Sequence, residues 1–160
     1  MVNNLKNGAL IYTAGPIDLG VDFPNWREKF TKKLQESGVG AVVFDPSTAY
    51  RPTLMGTPVE RRDIYIEHVN REALDSADIV VVAMPLGVTT VGTPIEIDMA
   101  CQRGKTVMMF TNIERGKSVY LNNRVDANRW FHVDLKDEAA VDMCLQSIVN
   151  DIKLMTLGND

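Results

Sequence analysis

The chain is short of several things that mark common protein classes. It has two cysteines, Cys101 and Cys144, far apart and in no CxxC pattern. That excludes a disulfide scaffold and points to a reduced, cytoplasmic protein in which each thiol is a small apolar filler. It lacks a basic excess: 17 Lys and Arg against 21 Asp and Glu give a net charge of −4 and a pI near 5.2. A nucleic-acid polymer, which normally meets a basic face, is therefore not an expected partner. A small anion stays possible, since a few local N–H donors hold a phosphate whatever the global charge. No long apolar run is present. The most apolar stretch, Ile79 to Val88, is interrupted by Pro85 and is well short of the ~20 residues a membrane span needs. Met1 to Gly8 is polar and does not read as a signal peptide. Low-complexity tracts, linkers, GxGxxG, P-loop and GxSxG patterns are all missing, which counts against a dinucleotide enzyme, a phosphotransferase and a serine hydrolase. The two histidines, His68 and His132, stand alone, without HExxH or carboxylate-rich spacing, so no metal is expected.

What remains is an ordinary globular composition. The chain has 160 residues, 45% hydrophobic and 24% charged, which predicts one domain over residues 1–160 with a real core. Strand-like and helix-like segments alternate. Ala9 to Thr13 reads as a buried strand, and Pro24 to Glu36 as a helix with Trp26, Phe30 and Leu34 on one face, stopped by Gly38. A second strand, Ala41 to Phe44, precedes a helix from Val59 to Leu74 whose apolar side is Ile64, Ile66, Val69, Ala73 and Leu74. Ile79 to Met84 is almost pure β-branched sequence, as a strand covered on both faces requires. A short helix from Pro94 to Arg103, a strand from Thr106 to Thr111, a fifth strand from Trp130 to Val133 and a closing helix from Glu138 to Met155 complete the order. Parallel neighbours need crossovers, so this order predicts an α/β fold: a doubly wound, flavodoxin-like, five-stranded parallel sheet with helices on both faces. Such sheets bind ligands beyond the carboxyl ends of their strands, near the topological switch point. The segments Gly15 to Phe23, Asp45 to Thr57 and Pro85 to Glu96 are thus the ones to examine. The long connections Asp45 to Thr57 and Asn112 to Asn128 exceed what compact domains usually keep. The second holds Tyr120, Asn122, Asn123 and Arg124, which suit a site, a subunit contact or a plain surface loop.

One local pattern occurs twice, as Gly56-Thr57-Pro58-Val59-Glu60 and Gly92-Thr93-Pro94-Ile95-Glu96. By itself each reads as a capping box, with Thr at N-cap, Pro at N1 and Glu at N3 reaching back to the Thr N–H. Position separates the two. Glu96 follows the central strand and its loop, where an open parallel sheet places ligands. An ionised carboxylate there is able to attack an electrophilic carbon such as a sugar anomeric centre. Glu60 keeps the capping role.

Three further pieces occur in order: Ile11-Tyr12-Thr13-Ala14-Gly15-Pro16-Ile17, Asn70 followed by Ala77-Asp78-Ile79-Val80-Val81-Val82, and Gly92-Thr93-Pro94-Ile95-Glu96-Ile97 with Ala100 and Gly104-Lys105. Together these motifs resemble the nucleoside 2-deoxyribosyltransferase family, which includes 2′-deoxynucleoside 5′-monophosphate N-hydrolases. The resemblance runs through most of the first 110 residues. It implies that Glu96 is a nucleophile taking the deoxyribosyl group, and that Tyr12 interacts with that nucleophile or the sugar. Gly15, Pro16 and Ile17 would line the base and sugar pocket, together with Gly92. Pro46 and Ser47 lie where the family's second loop meets the base. It also implies a homo-oligomer in which a neighbour's loop, here Lys117 to Asn128 with Asn123, completes the site. No cofactor is implied, because the carboxylate supplies the covalent chemistry.

The sequence departs from the family in two places. Asn70 stands where many members carry an aspartate, and an amide hydrogen-bonds but does not shuttle a proton at neutral pH. Asp45 and Asp98 are the candidates to protonate the leaving base in its stead. Thr90 falls where transferases of free nucleosides place a carboxylate and nucleotide hydrolases a serine, and Ser118 is similar in position to a second serine of the hydrolases. Those hydroxyls suit a 5′-phosphate. Asp18, where the hydrolases tend to offer an arginine, would repel one. The resulting expectation is cleavage of the N-glycosidic bond of a 2′-deoxyribonucleoside 5′-monophosphate or 2′-deoxyribonucleoside, with a lean to the nucleotide N-hydrolase. The alternatives are transfer of deoxyribose between free bases, and a nucleotide-binding module without turnover.

Overall fold

The structure, a computed structural model, describes residues 8–17, 25–47, 56, 58–88 and 90–157. Strand β1 (Ala9–Ala14) leads to helix α1 (Trp26–Glu36), β2 (Ala41–Phe44), α2 (Val59–Ser76) and β3 (Ile79–Met84). Helix α3 (Gly92–Gln102), β4 (Thr106–Thr111), a one-turn helix α4 (Val119–Asn122), β5 (Trp130–His132) and α5 (Glu138–Leu157) follow. The sheet order is β2-β1-β3-β4-β5, every pair parallel. This is the doubly wound, flavodoxin-like order, and its switch point lies between β1 and β3.

Side-chain alternation along the strands builds two cores. Ile11, Ile79, Val81, Ala83, Met108 and Phe110 face one side, where they meet Phe30 and Leu34 of α1 and Leu145, Ile148 and Ile152 of α5. Tyr12, Val80, Val82, Val107 and Met109 face the other side, against Leu74 of α2 and Ile97 and Ala100 of α3. Period-two alternation makes one strand serve both layers. Val80, Val81 and Val82 are wholly buried, and each such side chain contributes on the order of 1.5–3 kcal/mol.

Several expected boundaries move. Asn25 is the N-cap of α1, in a left-handed conformation at φ 63°, so that helix opens at Trp26 and not at Pro24. Helix α2 continues past Leu74 to Ser76, and β5 ends at His132, although the Val133 N–H still donates to the Thr111 carbonyl at 2.9 Å. The connection from Asn112 to Asn128 is not a bare loop: it contains α4 and runs into a 3-10 turn, Ala127–Arg129. The expected apolar face of α2 is only partly used. Leu74 is buried, but Ile64 is 70% exposed, because only the last turns of the helix reach the sheet, where Leu74 and Ala73 pack. No helix among the described residues is long and apolar enough to cross a membrane.

Candidate active site

Two side chains from opposite ends of the resemblance meet at the switch point. Tyr12 sits on β1 with its ring wholly buried, stacked on Phe44 of β2 at 5.5 Å between centroids. Its hydroxyl donates to Glu96 Oε1 at 2.6 Å, the short distance of a charge-assisted bond. Glu96 is half-buried in the second turn of α3. Burial pushes its pKa above the ordinary carboxylate value, while the Tyr12 hydrogen bond and the positive charge of Arg27 oppose that rise. The anion is therefore desolvated and basic, yet held in place at one oxygen.

This geometry corrects the capping-box reading. Helix α3 opens at Gly92, two residues before Pro94, and its N-cap is Val91, with no side-chain cap. Thr93 lies inside the first turn, buried, and its hydroxyl is bonded by Thr90 Oγ1 at 3.0 Å. Glu96 is consequently too deep in the helix to reach back as a cap. Glu60 loses its box as well, since α2 has Pro58 at its N-cap and Glu60 is an exposed residue of the first turn.

Beside Glu96 a cleft of about 400 Å³ separates α2 from α3, lined among others by Asn70, Leu74, Gly92, Glu96 and Met99. Asn70 Oδ1 is buried there and has no hydrogen-bond partner. A buried acceptor left unsatisfied costs about 1–3 kcal/mol, so it marks a place where a ligand donor, a sugar hydroxyl or a base N–H, would be stabilised.

Of the remaining expected residues, Gly92 lines this cleft, while Gly15, Pro16, Ile17, Pro46 and Thr90 are not among its lining residues. Gly15 ends β1 at φ +148°, and a Cβ there would stand 3.0 Å from the Ala83 carbonyl of β3, so only glycine fits this close approach. Pro16 is buried and Ile17 exposed. Pro46 is buried after β2, where the Ser47 amide and hydroxyl donate to Asp45 Oδ1 at 2.8 and 2.6 Å. Thr90 reaches the first turn of α3 through Thr93. Ser118 and Asn123 are not brought to the cleft within one chain: Ser118 caps α4 by accepting from the Leu121 N–H, and Asn123 is the exposed residue that ends it. Asp18 lies outside the described residues. Neither candidate proton donor lines the cleft. Asp98 is taken up by Arg124, at 2.6 and 2.7 Å, and by Gln102 at 2.7 Å.

Sequence reasoning missed Arg27. It is 7% exposed, its Nη2 donates to the Gly15 carbonyl at 2.9 Å, and its Nε stands 3.7 Å from Asp45 Oδ1. A signal existed: Arg27 shares the apolar stripe of α1 with Phe30 and Leu34 at helical spacing, a costly place for a charge without a task.

No family model matches the chain, and no curated protein sequence matches it. Solved structures do. The 2-deoxyribosyltransferase of Bacillus psychrosaccharolyticus superposes with a TM-score of 0.63 at 22% identity, covering 83% of this chain and 96% of the other. The CMP N-glycosidase BcmB of Clostridium botulinum gives 0.51 at 13% identity, over 85% and 97%. A flavodoxin-like domain from Synechococcus also gives 0.51 at 13% identity, over 90% and 96%. One architecture thus carries different activities among these neighbours. The chain shares the doubly wound α/β fold of the 2-deoxyribosyltransferase and the N-glycosidase.

Proposed function

We propose that this chain is an enzyme that cleaves the N-glycosidic bond of a 2′-deoxyribonucleoside or its 5′-monophosphate, with Glu96 as nucleophile. The observation that carries the reading is the 2.6 Å bond from the Tyr12 hydroxyl to Glu96 Oε1, at the rim of a cleft able to admit a sugar. With Oε1 held by Tyr12, Oε2 is the oxygen left to form a bond to C1′. The C1′–N bond breaks and its electron pair goes to the base, which takes a proton from solvent. Hydrolysis then returns the carboxylate: water adds at C1′, gives up a proton, and the ester bond to Glu96 breaks. If a second base replaces water, the same intermediate yields transfer. The anion beside C1′ stabilises the oxocarbenium-like transition state in both steps. The neighbours named above support the general chemistry; the lean to the 5′-monophosphate rests on the sequence positions of Thr90 and Ser118, and Ser118, which caps α4 in its own chain, would have to act from a neighbouring copy.

Both Glu96→Gln and Glu96→Ala should abolish base release from matched deoxynucleosides and deoxynucleotides, followed by chromatography. Glu60→Gln, exposed at the far end of α2, should retain near wild-type rates. Equal activity in the Glu96 and Glu60 variants would defeat the assignment. Ligand-dependent thermal stabilisation of the wild type with no base released would favour a binding module. An added acceptor base separates transfer from hydrolysis.

A further inference from the structure

Helix α5 buries one face against the sheet and α1, through Val141, Leu145, Ile148, Val149 and Ile152. Its opposite face should be charged, as on most surface helices. It is not. Met143, Ser147, Asn150, Leu154 and Leu157 follow one another at alternating steps of four and three residues, all exposed and none charged. That spacing is the seam of a coiled coil. Met143 is 71% and Leu154 69% exposed, so within one chain the seam has no cover.

The seam is complementary to itself. Beside its first half a hollow of about 560 Å³ opens between α5 and the edge strand β5, walled by Ala140, Met143, Cys144 and Ser147 and by Phe131 across from them. The four α5 residues stand at i, i+3, i+4 and i+7, the set that forms a hole for one side chain of a facing helix. Leu154 is such a side chain, about three turns further on. A second α5 laid antiparallel, with the two-fold axis between Ile148 and Val149, sets Leu154 of each copy into the hollow of the other. The same register puts Ser147 opposite Asn150, whose side-chain oxygen already accepts from Gln146 at 3.1 Å, leaving its amide hydrogens to donate across. It also sets Leu157 over Ala140. Charge agrees with this register. Asp142 and Lys153 lie on one flank of the seam, and helix reversal brings each toward the other's counterpart. Asp142 meets Lys33 of α1 at 3.0 Å but stays exposed, as does Lys153.

We propose that the exposed seam of α5 is an interface between two copies of this chain, paired antiparallel with Leu154 of each seated in the hollow beside β5 of the other. This face belongs to the layer of α1 and α5, across the sheet from the cleft at Glu96, so the proposal does not depend on the reading of Glu96. A pair of ~30 Å helices makes a small interface, and assembly should therefore depend on concentration.

The test is the mass of the full chain by sedimentation across a dilution series. Met143→Lys and Leu154→Glu each place a charge against an apolar partner, and each should halve the wild-type mass. An equal mixture of the two should regain it. The mixed pair sets the new ammonium against the new carboxylate at one end and keeps the native Met143–Leu154 contact at the other. Wild-type mass in either variant alone, or a wild type that sediments as a monomer throughout, would overturn the proposal. A mixture that stays at half mass would overturn it too, since no other register pairs these positions. Should either variant fail to fold, Lys153→Glu takes its place: like charges then meet across the flank, so the mass should fall at low salt and recover at high salt. A mass indifferent to salt in that variant overturns the proposal.

Discussion

Asn70 is the residue at which chemistry and geometry pull hardest against each other. Its side-chain oxygen is buried beside Glu96 with no partner, and neither Asp45 nor Asp98 lines the cleft to donate a proton in its place. An amide in that position orients a ligand but leaves the departing base to find its proton in solvent. General acid assistance by a placed carboxyl group is worth about 10²–10⁴ in rate. Asn70→Asp should therefore raise kcat for base release by at least about tenfold. It should also add a basic limb to the pH profile, as the new acid is lost by ionisation. Measured across pH with one deoxynucleotide, a variant slower than wild type at every pH would show that the amide itself is needed by the reaction. Position 70 was legible in the sequence through its spacing to Asp78, and Glu96 and Tyr12 through their motifs. The contact between Tyr12 and Glu96 was legible only through the family resemblance, as one of two partners it implied for Tyr12, because it joins residues 84 apart and no local pattern encodes it. Arg27 was hidden differently. Its signal lay in an amphipathic stripe, where one charge among Trp26, Phe30 and Leu34 reads as a position near solvent until the sheet edge is placed above it.

Elements bring these residues together by approaching more closely than side chains would allow. The end of β1 runs against β3 at Gly15, where a Cβ would stand 3.0 Å from the Ala83 carbonyl and 3.2 Å from the Ala83 Cβ, and φ is +148°. The same glycine gives its carbonyl to Arg27, so the strand end, helix α1 and the β2 turn share one point. Gly15→Ala should combine strain from an unfavourable backbone region, of order 1–3 kcal/mol, with displacement of Ala83. For a chain of this length that is a fall of several degrees in Tm. Calorimetry measures it, and a Tm equal to wild type would show that the β1 end yields easily. The order of strands and helices was legible because hydrophobic periodicity changes from two to 3.6 at each junction. Helix starts were less so. Thr93-Pro94-Ile95-Glu96 matches a capping box, and sequence places the start of α3 there. In the fold Thr93 is buried and bonded by Thr90, which carries the helix back to Gly92. Tertiary packing overrides a local motif of modest energy.

On the scale of the whole molecule, α2, α3 and α4 lie on the same face of the sheet, since Leu74, Ile97 and Leu121 enter one core. That layer exposes Ile64 and Tyr65 on α2, Ile95 on α3, and Val119 and Tyr120 on α4, with Val91 just before α3. Scattered exposed apolar residues need no explanation, but their gathering on the layer that holds the cleft is the kind of surface a second subunit covers. A charge-paired brace keeps α4 in place there: Arg124 joins Asp98 of α3, and the Cys101 thiol donates to the Arg124 carbonyl at 3.0 Å. Asn123 is thereby presented outward and away from its own chain's cleft. If two copies pair through this face, Asn123 of each would serve the Glu96 of the other. Subunit mixing tests this. Glu96→Gln and Asn123→Ala chains, each weak alone, are combined after reversible dissociation. In random two-subunit pairing half of the dimers are mixed, and each mixed dimer has one intact site, so base release should recover to about a quarter of the wild-type rate. Sites contained within single chains would instead give only the average of the two parents, and that result would remove Asn123 and the neighbouring loop from the reaction.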